Sequence, residues 1–176
     1  MTQRLDVSPI PGSDVQIGLL LAILDDATND WRGELGDVPD EMLLWQPFPG
    51  GHSVGALILH IADVEAYWLH EIGAGLARSD EELARLLSKE TQQYDLTWPR
   101  PPAQPFSWFL AQHDEIRART RHIVSTWDDP ARALLWEDTE FTPRWLLHHV
   151  LTHESYHGGQ AILLSILYAR QEETSG

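Results

Sequence analysis

Apolar residues recur along this chain at the three-to-four-residue spacing of a helix, not at the alternation of a strand. Ile17, Leu20, Leu21, Leu24 and Thr28 fall on one stripe, which predicts a first helix from about Asp14 to Leu35. Ser13 is placed to cap it, because a serine hydroxyl accepts an orphan backbone N–H, and Gly36 is a stop signal. Pro39, Pro47, Pro49, Gly50 and Gly51 predict a loop. Leu57, His60, Ile61, Val64 and Trp68 share a face of a second helix, from Ser53 to about Ile72, ended by Gly73 and Gly75. A linker follows, with a short acidic helix near Asp80 to Glu90 and the broken stretch Trp98-Pro99-Arg100-Pro101-Pro102. The third helix starts at Pro105 or Phe106; its inner stripe is Phe106, Phe109, His113, Ile116, Thr120, Ile123 and Trp127, and Asp128-Asp129-Pro130 stops it. Thr142 as N-cap and Pro143 at the first helical position open a fourth helix to about Arg170, roughly 40 Å long. No stretch alternates as a strand would, and none repeats.

Four helices of this length predict an all-α, four-helix bundle. About thirty residues join the second helix to the third, enough to cross the bundle, so those two are expected to run parallel. The 176 residues fit a single domain, 1–176, with a core that needs no staples. The chain has no cysteine, which excludes disulfides and thiolate metal ligands. Its formal net charge of −15 makes nucleic acid and anionic membranes poor partners and points to a small-molecule substrate. No basic N-terminal segment precedes an apolar run, and charged residues or histidines break the longest apolar stretches. Both facts predict a cytoplasmic protein with no membrane span.

Three histidines change the picture. His149, His153 and His157 recur every four residues in the fourth helix, and residues four apart lie one turn above each other on one face. Three imidazoles in an apolar seam leave many donors and acceptors to satisfy, and a shared metal ion resolves that cost. Helical spacing does not choose between the pairs His149/His153 and His153/His157. His60 lies mid-way along the second helix on its apolar face, where facing helices pool ligands. Three neutral histidines with open positions describe a catalytic metal site.

The other histidines read more plainly. His148 points away from the stripe, and His52, His70, His113 and His122, taken singly, are expected as core or edge residues. Trp68 and Trp145 flank the histidine-bearing faces as candidate pocket walls, and His149, His113 and Gln160 are further pocket candidates. Glu154 and Glu65 are the candidate bases. His153-Glu154-Ser155-Tyr156-His157 also matches the zinc-protease pattern H-E-x-x-H. Its context fails: Gln160 and Leu163 stand where the extended form needs glycine and a third histidine, and no strand is expected to hold a peptide.

His60 within Ser53-Val54-Gly55-Ala56-Leu57-Ile58-Leu59-His60-Ile61-Ala62, followed by H-x-x-x-H-x-G-Q at His153 to Gln160, resembles the DinB/YfiT-like metalloenzyme superfamily. Asp40-Glu41-Met42-Leu43-Leu44-Trp45-Gln46-Pro47 resembles that family's loop before the second helix. The resemblance runs from the first helix to about Arg170. It implies an up-down-down-up bundle and a divalent metal, zinc or nickel, held by His60, His153 and His157, which leaves His149 to the pocket. It also implies a possible homodimer, and relatives that transfer low-molecular-weight thiols. Gly158 stands where the family usually has arginine. Two adjacent glycines in a helix cost roughly 2 kcal/mol relative to alanines, so either something approaches closely there or the helix bends.

The implied site keeps the ion's full charge, which lowers the pKa of a coordinated thiol or water. The expected function is therefore transfer of a low-molecular-weight thiol to an electrophilic small molecule, as an S-transferase or isomerase. The alternatives are a metal-dependent hydrolase and a non-catalytic metal-binding stress protein.

Overall fold

Asp14, not Ser13, opens the first helix. Its carboxylate accepts the backbone N–H of Gln16 at 2.8 Å and of Ile17 at 3.3 Å, while the Ser13 hydroxyl donates back to the Ile10 carbonyl. A carboxylate at the positive end of the helix dipole caps better than a hydroxyl whose proton is directed elsewhere. The computed structural model describes residues 5–92 and 97–175. Helix α1 runs Val15–Leu35 and ends at Gly36, whose φ of +64° suits glycine.

The expected loop contains a short helix, α2 (Asp40–Leu44), begun after Pro39. Ser53 caps α3 (Val54–Glu65), which continues without a break as a π-helical segment, Ala66–Ile72. The acidic helix of the linker is split into α4 (Asp80–Arg85) and α5 (Ser88–Thr91) by Leu87, which takes a left-handed φ of 56°. Helix α6 spans Phe106–Val124 and stops short of the acidic Pro-containing signal, because two tight turns, Thr126 N–H to Ile123 and Trp127 N–H to Val124, close its end. Trp127 is buried all the same. A hairpin that the sequence pattern did not predict follows: β1 (Leu134–Trp136) pairs antiparallel with β2 (Thr139–Phe141) across a turn where Glu137 has φ 52°. Strands of three residues are too short to show an alternation. Helix α7, capped by Thr142, runs Pro143–Ser175, past the expected end at Arg170.

Apart from that hairpin the described chain is all-α. Helix α1 packs along α7, and α3 packs against both α6 and α7. Among the described residues no helix is long and apolar enough to cross a membrane.

The buried apolar residues form two clusters. One holds Trp31, Leu57, Ile61, Phe109, Ile116 and Ala161; the other holds Ile17, Leu24, Leu69, Ile123, Leu146 and Val150. Where they meet, each of the four long helical stretches contributes a buried polar residue: Thr28 from α1, Glu65 from α3, His113 and Arg117 from α6, and Glu154 from α7.

Candidate metal centre

His60 reaches the site from the middle of α3, a helix buried over nearly its whole length. His153 and His157 reach it from α7, one turn apart. The ring centroids of His60 stand 4.9 Å from those of both His153 and His157, and the latter two are 4.4 Å apart. One nitrogen from each ring lies within 4.8 Å of the others. His149, the third member of the periodic stripe, is not in this group.

The donors suit a divalent ion. Nδ1–H of His157 donates to Gln160 Oε1 at 2.7 Å, which fixes that tautomer and leaves Nε2 bare as a ligand. Nδ1 of His60 is buried with no hydrogen-bond partner among the described residues. A buried imidazole nitrogen without a partner is costly, and His70 Nδ1, away from the triad, is in the same position. The pKa of His60 is pushed down to about 3, first by burial and then by the charges of His157 and His52. Burial, helped by His157 and His60, pushes His153 down to about 2. Burial brings His157 to about 4 against the opposing hydrogen bond from Gln160. All three are therefore neutral near pH 7, the form that binds metal.

Aromatic rings wall the group on two sides. His149 stacks on Trp145 at 4.9 Å and meets Trp68 edge-on at 4.7 Å, 6.4 Å from His153. Phe141 of the hairpin packs against Trp68 and Trp145. The expected wall residues Trp68, Trp145 and His149 are thus brought together beside the triad. The other wall was not expected. Trp98 lies 5.0 Å from His60 and 4.1 Å from His52, and His52 lies 6.5 Å from His157. That wall is tied by Trp98 N–H to Gly50 O, and by the Gln46 amide to the Gly51 and Trp98 carbonyls. The two ties to Trp98 join residues about fifty positions apart in sequence, and no periodicity signals them.

Glu65, Glu154 and His113 are brought together elsewhere, in the polar layer between the two apolar clusters. Arg117 Nε and Nη2 each donate to Glu65 at 2.9 Å, and Nη2 also donates to Glu154 Oε2 at 2.5 Å. The other Glu154 oxygen accepts Thr28 Oγ1–H at 2.5 Å and Trp31 Nε1–H at 2.8 Å. Both carboxylates are fully buried. Burial pushes the Glu65 carboxyl up, but the Arg117 charge and its hydrogen bonds more than offset this and hold it ionised. Glu154 follows His153 directly, yet consecutive helical residues point about 100° apart, and its carboxylate faces α1 and α6. His113 stacks on Trp31, and its Nδ1 accepts from Arg32 at 2.8 Å. These three residues, expected as bases or pocket lining, have contacts that tie them to the layer. His70 is a buried core residue bonded to Thr120.

Gly158 has a direct explanation. A Cβ there would lie 2.6 Å from Cγ and 2.8 Å from Cβ of Trp31. The close approach is therefore by a side chain of α1, and α7 continues as regular helix through both glycines. An arginine at this position has no room.

No curated protein matches the chain. Residues 23–161, a span that holds all three converging histidines and the whole polar layer, match the model of the DinB superfamily, and the chain belongs to that superfamily.

Proposed function

We propose that this chain is a divalent-metal-dependent enzyme that transfers a low-molecular-weight thiol to an electrophilic small molecule. His60, His153 and His157 hold the ion, zinc or nickel. The observation that carries this reading is the convergence of three neutral imidazoles, one nitrogen from each within 4.8 Å of the others. Such an ion supplies Lewis acidity that favours the thiolate form of a thiol.

The surrounding residues support the rest. Gln160 orients His157. The Trp98/His52 and Trp68/Trp145/Phe141 walls offer apolar, partly water-shielded surface to the carbon skeleton of an electrophile. No carboxylate joins the three converging nitrogens among the described residues, and Glu65 and Glu154 are both engaged by Arg117. A thiol, with an ordinary pKa near 8.5, gives up its proton with far less help than water does. The lack of a carboxylate base beside the triad thus favours thiol transfer over hydrolysis.

The packing of α1 on α7, and of α3 on both α6 and α7, supports a bundle of four helices, and the long connection before α6 supports the up-down-down-up order within it. The exposed apolar side chains of Tyr156, Leu163, Ile166 and Leu167 on one face of α7 support a homodimer.

The test is elemental analysis of gently purified wild type and His60→Ala, followed by a screen of thiol and electrophile pairs. One equivalent of metal in wild type, lost in the variant, together with thiol consumption by wild type alone, is the expected result. Metal without turnover on any pair would leave a binding protein, and a metal-free native protein would end the reading.

A further inference from the structure

The metal ligands come from two different helices, which have to be held in register for the three rings to meet. His60 is on α3, and His153 and His157 are on α7. The packing between these helices is largely apolar, and apolar cores tolerate repacking at some loss of a unique arrangement. One buried charge does connect the same two helices. Glu65 closes α3, five positions after His60, and Glu154 follows His153 directly. Both are fully buried, and both bind the single guanidinium of Arg117, whose side chain is 5% exposed. The clamp is braced from α1 as well: Arg117 donates to Thr28 Oγ1 at 2.8 Å and to Asp25 at 3.1 Å, and Thr28 and Trp31 both donate to Glu154.

We propose that Arg117 is a positioning residue of the metal centre: by holding Glu65 of α3 and Glu154 of α7 on one guanidinium, it sets the axial register in which His60 meets His153 and His157. The geometry gives the reason. A slip of α3 past α7 by one turn, about 5.4 Å, would unpair buried charges and is strongly disfavoured. The slip would also separate the histidines, whose bonds to an ion tolerate only about 0.2 Å. A buried polar group that specifies register is the best-attested use of such a group, and it need not add stability. Here the layer also divides the two apolar clusters, so each long helix meets it once. Glu65, His113 and Glu154 by themselves resemble a cation site; the guanidinium already fills it.

The inference rests on the metal reading, and the experiment separates the two. Cobalt(II) chloride is titrated into metal-free full-length wild type, Arg117→Lys, and the triple variant Glu65→Leu, Arg117→Met, Glu154→Leu. Affinity and the visible d–d spectrum are recorded beside thermal melts. The triple variant removes the three most buried charges together, which is often near neutral, but it takes the acceptor from Trp31 Nε1–H and Thr28 Oγ1–H, so it is expected to stay folded with a modestly lowered melt. Its cobalt affinity is nevertheless expected to fall roughly tenfold or more, with a changed spectrum, because support of the ligands is lost. Arg117→Lys keeps the cation but not the fork that holds both carboxylates, and is expected to show a smaller loss in the same direction. A folded variant of either kind with wild-type affinity and spectrum overturns the inference and leaves the metal centre standing. Wild type that takes up no cobalt overturns the metal reading, and this inference with it.

Discussion

The indole of Trp31 occupies the space that a side chain on residue 158 would need, and the same indole donates to Glu154 one turn earlier on α7. Trp31 is therefore held at its nitrogen and pressed at its Cβ and Cγ, with little freedom to retreat. Gly158→Ala is expected to lower stability. The helix gains about 1 kcal/mol from losing a glycine, but overpacking against a held ring costs typically 1–3 kcal/mol. Gly159→Ala, where nothing lies within 4 Å, is expected to raise stability by up to about 1 kcal/mol. Denaturant melts of the two variants should shift in opposite directions. Shifts of the same sign would show that Trp31 moves aside.

The histidines are expected to divide by position and not by spacing. His153→Ala and His157→Ala should each lose the bound metal on elemental analysis. His149→Ala should keep it, because His149 is engaged with Trp145 and lies outside the converging nitrogens. Gln160→Leu should weaken metal binding roughly 10–100-fold, by releasing the tautomer and orientation of His157. A His149→Ala protein that comes out metal-free would move the site one turn along α7.

Acid should destabilise the metal-free protein well above the usual carboxylate range. His60, His153 and His157 are pushed below the ordinary 6.5, to about 3, 2 and 4, and buried His70 to about 4, in each case first by burial. Between those values and 6.5 the unfolded chain binds more protons than the folded one, so stability falls as pH falls through that window. Each buried imidazole contributes at most about 1.4 kcal/mol per pH unit. Thermal melts in chelator at pH 7, 6 and 5 should therefore step downward. A flat profile would mean that these rings are solvated.

Glu154→Gln is expected to act on the fold more than on chemistry. Removing one member of a buried ion pair costs about 3–5 kcal/mol, and here the Arg117 charge would keep Glu65 and the partly exposed Asp25 but lose one of its two fully buried carboxylates. The melting temperature should drop. A variant that melts like wild type but has lost all turnover would return Glu154 to the role of base.

The helices were legible because each carries an apolar stripe at helical spacing; spacing offered His149/His153 and His153/His157 equally, and only the resemblance of His60 and H-x-x-x-H-x-G-Q to a known family pointed to the second pair. Other features were hidden for identifiable reasons. Asp14 outcompetes Ser13 only once the Ser13 proton is seen to point at Ile10. The hairpin strands are too short to alternate. Trp98 and His52 meet through a tie between two loops that no local pattern encodes. Arg117 was left off the expected inner stripe of α6 although it lies four residues after His113, one turn along the same face, where an arginine has to find buried partners. Its partners, Glu65 and Glu154, sit on two other helices, and pairing across helices cannot be read from any one of them.

The Trp31–Gly158 contact also constrains how this chain can change over evolutionary time. Positions 31 and 158 are an epistatic pair: a larger residue at either is harmful unless the other is already small. An arginine at position 158 is admitted only after Trp31 has been replaced by something smaller. A lineage that acquires the tryptophan first would have to cross a destabilised intermediate. The order of the two substitutions is therefore expected to be fixed, glycine before tryptophan and the reverse on the way back.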